Sequence, residues 1–367
     1  MMSNLRQYFD DYGQSPWVDN IRRDWLDDGT LARLVESGVR GVTSNPAIFA
    51  KSFATSSAYD AAVREVGSSD PEVVFESLAV RDVRDACDVL LSVFVSSRDN
   101  GRYRDGFVSL EVSPRLAHET QATIDAAVRL FGEVDRENVM IKIPATRAGL
   151  AAIRTVIGLG INVNVTLIFS LDRYREVLEA WTSGLEDARD AGRSLSNIGS
   201  VASFFVSRVD TAFDQLLDAQ SPLRGRVALA QVAAAYEIYL EWVSSPRVRE
   251  LVAGGAQVQR PLWASTSVKN PAYDELLYVD SLVAPETVNT MPDATLEAAS
   301  DHGQPATSLI TDDHSRRSLA ALLEEIPSNV TLREVTQKLE DDGVAAFATA
   351  YDELLATVAA KLNSPTH

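Results

Sequence analysis

The chain predicts an α/β fold, a single (β/α)8 TIM barrel with extra N- and C-terminal helices, and three observations lead there. Eight short apolar runs recur along the 367 residues, nearly all separated by stretches with helical spacing. No proline-, glycine- or serine-rich linker, low-complexity run or fixed-period repeat divides the chain. The main rival, a doubly wound open sheet, would usually bring a glycine-rich nucleotide loop after an early strand. Gly158-Leu-Gly160 lacks the third glycine and ends a helix. The expectation is one domain over 1–367, with barrel strands over about 15–292 and C-terminal helices over 294–363.

Taken in order, residues 1–14 read as an amphipathic helix ending at Gly13, and 15–20 as a brief strand with Asp19 near its end. A helix over 29–38 stops at Gly38, and 41–46 is a second strand broken by Pro46. Residues 47–106 read as mostly helical, with a turn at 67–71 and Ser69 or Asp70 as the next cap. The third strand is 107–113, followed by a helical face of Ile124, Val128 and Phe131. The fourth is 138–145, then a helix marked by Leu150, Ile153, Val156 and Ile157. The fifth is 161–169, after which Ser170 caps a helix carrying Tyr174, Val177, Leu178 and Trp181. The sixth is 197–204, with Val209, Phe213 and Leu216 on its helix. A helical region over 223–252 leads to the seventh strand, 260–266, and the eighth, 286–292. From 294 the chain reads as helical to its end, with breaks near Gly303-Gln-Pro305 and Pro327.

One of these strands carries a residue that does not belong in a buried run. Val139, Met140, Ile141 and Ile143 are apolar, and Lys142 sits among them. A buried ammonium is costly unless it is paired or loses its proton. Only five of the 34 basic residues are lysine: Lys51, Lys142, Lys269, Lys338 and Lys361. Arginine stays protonated and cannot act as an amine nucleophile, whereas a desolvated lysine can form a Schiff base with a carbonyl substrate. The plainer alternative is a side chain that snorkels to water. Lys142 precedes Pro144 and a helix, so it falls at the carboxyl end of a barrel strand, where such folds keep their chemistry.

Composition narrows the partners. A net charge of −18 argues against nucleic acid and anionic membrane surfaces, and an anionic small substrate would need a local basic pocket. Hydrophobic residues at 46% and charged at 23% fit an ordinary globular protein able to bury a large core. The single cysteine, Cys87, lies on an apolar helical face as a core residue, and its isolation fits a reducing cytoplasm. The N-terminus has no apolar signal-like segment, so a cytoplasmic location is expected. The longest uncharged stretch, 155–171, is interrupted by glycines and asparagines and reads as turn plus strand, not a membrane span. Four scattered histidines and no paired cysteines predict no metal site. A homo-oligomer stays open.

Polar residues recur at the predicted strand ends: Asp19, Thr43 and Asn45, Glu111, Lys142, Asn164 and Thr166, Ser203, and Ser265. In a barrel these converge on one pocket at the top face. The set holds a nucleophile, two carboxylates for proton transfer and neutral hydrogen-bonding groups. Val-Thr-Ser-Asn45-Pro, Val-Ser-Leu-Glu111-Val-Ser-Pro-Arg-Leu, Met-Ile-Lys142-Ile-Pro-Ala-Thr, Ile-Asn-Val-Asn164-Val-Thr166-Leu-Ile-Phe-Ser and Leu-Trp-Ala-Ser265-Thr together resemble the transaldolase family. Trp-Ala-Ser-Thr-x-x-Lys-Asn-Pro-Ala-Tyr with Thr-Val-Asn-Thr-Met-Pro looks like its longer bacterial branch. The resemblance runs from Ser15 to about Pro292, with five motifs in order, each on its own strand.

The resemblance implies a cofactor-free, Schiff-base-forming transferase of the pentose phosphate pathway, acting on sugar phosphates. It would move a dihydroxyacetone unit from sedoheptulose 7-phosphate to glyceraldehyde 3-phosphate, giving erythrose 4-phosphate and fructose 6-phosphate. By position, Lys142 matches the Schiff-base lysine and Asp19 the group that takes the C4 hydroxyl proton. Glu111 matches the carboxylate that works through a water, and Thr166 the residue that holds that water. Plainer roles are a helix cap for Asp19, a partner for Arg115 for Glu111, strand packing for Thr166 and a turn residue for Asn45. Thr43, Asn45, Asn164, Ser203 and Ser265 match pocket positions that hold sugar hydroxyls, and Arg208 matches a phosphate-binding arginine. A second phosphate arginine common after the seventh strand is replaced here by Ser267 or Lys269. Phe205 stands where the related fructose-6-phosphate aldolases, the nearest rival, use a tyrosine. A rival of another class is an inactive barrel acting as a binding partner.

Overall fold

The computed structural model describes residues 4–99 and 104–363. The parts of the expected 1–14 helix and 47–106 helical stretch that fall on 1–3 and 100–103 lie outside the described residues, as do 364–367. Among the described residues seven parallel strands form one sheet: β1 (Ser15–Val18), β2 (Val108–Glu111), β3 (Val139–Pro144), β4 (Val163–Ile168), β5 (Ser200–Phe205), β6 (Arg260–Ala264) and β7 (Val288–Met291). Their order is β1-β7-β6-β5-β4-β3-β2. Every residue of β3, β4 and β5 is buried. Helices cover one face of such a sheet and packed side chains fill the other, so its strands read as unbroken apolar runs.

The sheet closes into a barrel through the eighth stave, residues 40–43. The sequence predicts a full strand over 41–46, but the regular pairing reduces to bridges from Val42 to Val18 and to Val108. Backbone bonds extend slightly further. Arg40 N donates to Pro16 O, Val18 N to Gly41 O and Thr43 N to Val18 O, at 2.9–3.0 Å. On the other side Gly106 N donates to Arg40 O, Val42 N to Phe107 O and Ser109 N to Val42 O. The stave packs tightly, since a Cβ at Gly41 would stand 2.3 Å from the Trp17 ring. It ends early because Asn45 turns the chain into a helix, Pro46–Thr55, and accepts from Ile48 N at 3.0 Å. Asparagine followed by proline is a helix start, and that preference overrides the strand.

Most helical expectations hold, with three corrections. Helix Thr120–Val134 buries Thr123, Ala127, Leu130 and Val134, while Val128 is exposed. On the helix after β5, Leu216 is exposed rather than part of the buried face. In the first case the buried face lies one residue earlier than the expected Ile124, Val128 and Phe131, a rotation of about 100° on the helix. The expected 223–252 helix is two, Val227–Ser244 and Pro246–Ala253, divided at Ser245-Pro246. Ser170 caps its helix as expected, accepting from Arg173 N at 3.1 Å.

At the amino ends of the strands lies a buried ionic knot. Asp105 Oδ2 accepts from Ser15 Oγ and Arg40 Nε, both at 2.8 Å. Its Oδ1 accepts from Arg260 Nη1 at 3.0 Å and Trp17 Nε1 at 3.1 Å. Burial alone would raise this carboxyl, but Arg260 and Arg40 outweigh it and hold Asp105 below its ordinary range.

At the opposite, carboxyl end, the C-terminal helix Leu332–Asn363 runs against the barrel. Its buried residues are Thr336, Glu340, Gly343, Phe347, Tyr351, Leu354 and Val358, one stripe in steps of three or four. Glu340 takes a two-point ion pair from Arg173, with both N···O distances 3.2 Å. A Cβ on Gly343 would stand 3.1 Å from Leu167 and 3.4 Å from Phe169, so the helix comes close to the end of β4.

Candidate active site

Lys142 sits near the carboxyl end of β3 and is 4% exposed. Its strand neighbours are fixed by register: Glu111 on β2 and Asn164 on β4 pair directly with it. Its Nζ donates to the carbonyl of Ser44 at 2.9 Å. That carbonyl is free because the eighth stave has already left the sheet. Nζ also lies 3.3 Å from Glu111 Oε2, an ion-pair distance without a hydrogen bond. The snorkelling alternative fails, since the ammonium end points into the barrel.

Burial pushes the Glu111 carboxyl up to about 7; Lys142 pulls it back only partly, and Asp19 adds a further upward push. Arg115, the plainer partner expected for Glu111, pairs instead with Asp352 at 2.6 Å and Glu72 at 3.4 Å. Burial also raises Asp19, opposed by Lys142 and by a hydrogen bond from Thr43 Oγ1 at 2.6 Å. Asp19 does not cap the following helix, which starts after Arg22. Thr43 and Thr290 hydroxyls stand 2.7 Å apart, so Thr290 steadies the Thr43–Asp19 pair.

A cavity of about 160 Å³ opens above these groups. Of the residues expected at the site, Asp19, Thr43, Asn45, Lys142, Thr166, Ser203, Phe205, Arg208, Ser265 and Lys269 line it. Glu111 and Asn164 stand just behind its wall: Glu111 reaches it through Lys142, and Asn164 through Ser203, whose Oγ donates to Asn164 Oδ1 at 2.7 Å. Asn164 Nδ2 in turn donates to Ser109 Oγ at 2.9 Å. The backbone is bent to build this wall. The β4–β5 register shifts between Val165 and Ile168, and Leu167 has φ of 59°. Ser265 has φ of 56°, with its hydroxyl 3.0 Å from that of Ser207. Non-glycine residues in this region are uncommon and gather where function needs them.

The charges separate along the cavity. Lys142, Asp19 and Glu111 stand together, while Arg208 and Lys269 make no ion pair among the described residues. Burial lowers Arg208, with Asp19 opposing; burial and then Arg208 lower Lys269. Two mutually repelling cations without an ion-paired carboxylate among the described residues suit an anion. Lys269 Nζ donates to Ser267 Oγ at 2.6 Å, so the two residues expected as alternatives stand together. Among the described residues, no group of three histidine, cysteine or carboxylate side chains could hold a metal ion.

Sequence reasoning missed Thr290, Pro292, Ala264, the Ser44 carbonyl and Phe347, which all belong to this site. Phe347 comes from the C-terminal helix, its ring centroid 5.5 Å from Lys142 Nζ. The buried stripe of that helix was a readable signal, though its target was not.

Residues 16–358 match the family model described as transaldolase/fructose-6-phosphate aldolase. The chain belongs to this family. Its relatives include Transaldolase 1 of Streptomyces coelicolor, 47% identical over 363 residues, covering 96% of this chain and 94% of that protein. Transaldolase 1 of Streptomyces avermitilis is 48% identical, covering 98% and 96%. The transaldolase of Mycobacterium tuberculosis is 46% identical, covering 96% and 95%. The transaldolase-family match extends well past β7 into the C-terminal helix, so that helix belongs to the family's shared region. Among the described residues no helix is long and apolar enough to cross a membrane.

Proposed function

We infer that this chain is a transaldolase, a transferase that moves a dihydroxyacetone unit from sedoheptulose 7-phosphate to glyceraldehyde 3-phosphate. The observation that carries the reading is the Lys142 amine, buried at a strand end 3.3 Å from Glu111. In its neutral form the amine attacks C2 of the ketose to give a carbinolamine, which loses water to a protonated imine. Glu111, raised to about 7, takes and returns protons near neutral pH. Thr166 Oγ1 and Glu111 Oε2 are both buried without a hydrogen-bond partner and suit a bridging water for those transfers.

Asp19 accepts the C4 hydroxyl proton. The C3–C4 bond breaks, its electrons pass into the imine, and erythrose 4-phosphate leaves. The remaining enamine attacks the acceptor aldehyde, Asp19 returns the proton, and water frees fructose 6-phosphate. Thr43, Asn45, Ser203 and Ser265 supply hydroxyl contacts, Asn164 holds Ser203 in place from behind, and Arg208 with Lys269 supplies the phosphate contact. Phe205 packs its ring 5.0 Å from Phe169 and offers no hydroxyl to the cavity, which favours transfer over simple aldol cleavage.

Borohydride reduction with fructose 6-phosphate is expected to leave a three-carbon adduct on Lys142, read by peptide mass. An adduct on Lys269, or none, would overturn the assignment. Turnover is expected to be far faster with an acceptor aldehyde than without; equal rates would favour the aldolase reading.

A further inference from the structure

The enamine formed on Lys142 has two fates. It can attack an aldehyde, or it can be lost to water. In the second case one water is consumed: a proton goes to carbon, the hydroxyl adds to the C2 iminium carbon, and the carbinolamine expels the Lys142 amine with dihydroxyacetone. No other reactant is needed. A transferase must suppress this loss while it waits for its acceptor, and the strand residues around Lys142 are mostly hydroxyls, amides and carboxylates that attract water.

The apolar group over the amine comes from elsewhere. Phe347 is 6% exposed, lines the cavity and sets its ring centroid 5.5 Å from Lys142 Nζ. It lies near the middle of the C-terminal helix, held on both sides along one stripe. One turn before it, the helix comes so close that a Cβ on Gly343 would meet Leu167 and Phe169; two turns before, Glu340 is tied to Arg173. One turn after, Tyr351 packs edge-on against Phe75, with centroids 5.8 Å apart, and donates to Glu72 at 2.9 Å. Leu354 follows, fully buried. A helix fixed at four points around one aromatic ring holds that ring in place without using the residue itself as an anchor.

We propose that Phe347 is the water-excluding wall of the covalent intermediate, a positioning residue that sets the partition between transfer to an aldehyde and hydrolytic release of dihydroxyacetone. This rests on the Schiff-base reading of Lys142. A phenyl ring can neither give nor take a proton, so its effect falls on the fate of the intermediate more than on its formation.

The test compares two rates in one enzyme preparation: dihydroxyacetone release from fructose 6-phosphate alone, and transfer from fructose 6-phosphate to erythrose 4-phosphate. Phe347→Ala is expected to raise the release-to-transfer ratio about 10-fold, and Phe347→Leu, which keeps apolar bulk, to stay within about twofold of the parent. Phe347→Gln is close in size to the leucine variant but brings polar atoms, and is expected to raise the ratio as alanine does; it carries the test if the alanine variant does not fold. A merely structural role would lower both rates together. An unchanged ratio in both Ala and Gln variants overturns the proposal, as does an equal rise in the Leu variant. Borohydride trapping on the parent separates the two readings. With a Lys142 adduct present, an unmoved ratio removes only the role of Phe347; with no adduct, both fall.

Discussion

Two buried carboxyl groups at opposite ends of this barrel are shifted in opposite directions. At the base, Asp105 meets two arginines, a serine and an indole, and its carboxyl is held below the usual range. At the mouth, Glu111 meets one lysine, and burial wins, raising it to about 7. The barrel walls are the same and both groups are desolvated. The difference lies in how many fixed donors surround each carboxylate. The base is therefore a permanent charge knot, while the carboxyl at the mouth exchanges its proton near neutral pH.

The sharpest way to break that contrast is Lys142→Met. Activity is expected to fall by at least about 10⁴-fold and adduct trapping to vanish. Stability is expected to move by no more than about 1 kcal/mol, because Glu111 can keep its proton once its partner is gone; chemical denaturation at neutral pH measures this. Asp105→Asn should do the reverse. It leaves two arginines that cannot neutralise themselves, so a loss of about 3–5 kcal/mol is expected, with kcat per folded molecule preserved. A stable Asp105→Asn enzyme would remove the distinction between the two ends.

Glu111→Gln is expected to lower kcat about 10²-fold and to flatten the pH–rate profile near 7. The two carboxyls should also give stability slopes of opposite sign. Glu111 is raised above its ordinary 4.5, so its contribution is present below that value and fades as pH rises through about 7. Asp105 is lowered below its ordinary 3.8, so its contribution is present above that value and is lost as pH falls beneath it. Denaturation of the parent and each variant across the acid-to-neutral range reads both slopes; slopes of the same sign would contradict the picture. The smallest effect belongs to Lys269→Ala at the cavity's outer end. It should raise KM for phosphorylated substrates about 10-fold and leave kcat nearly unchanged.

Much of this was legible beforehand. The strands announced themselves as apolar runs, and Lys142 stood out because an amine is out of place in one. Alternation along a chain says little about register between strands, however. The sequence offered Arg115 as the natural partner of Glu111, four residues on, whereas the β2–β3 register set Glu111 beside Lys142. The second strand was over-read for a related reason. Val42 and Thr43 look like any buried run, but Asn45-Pro46 starts a helix and cuts the pairing short. Phe347 was out of reach because its partner lies 205 residues earlier in the chain. Its stripe marks a buried helix face without naming what that face covers.

The early exit of the chain at Ser44 has a consequence for how this site tolerates change. The reactive amine is leashed to a main-chain oxygen, 2.9 Å away, that every amino acid possesses. Drift at position 44 can alter a hydroxyl but cannot delete that tether. Neighbouring side chains can therefore be exchanged, and reaction rates retuned, while the aim of the lysine is inherited from the path of the backbone.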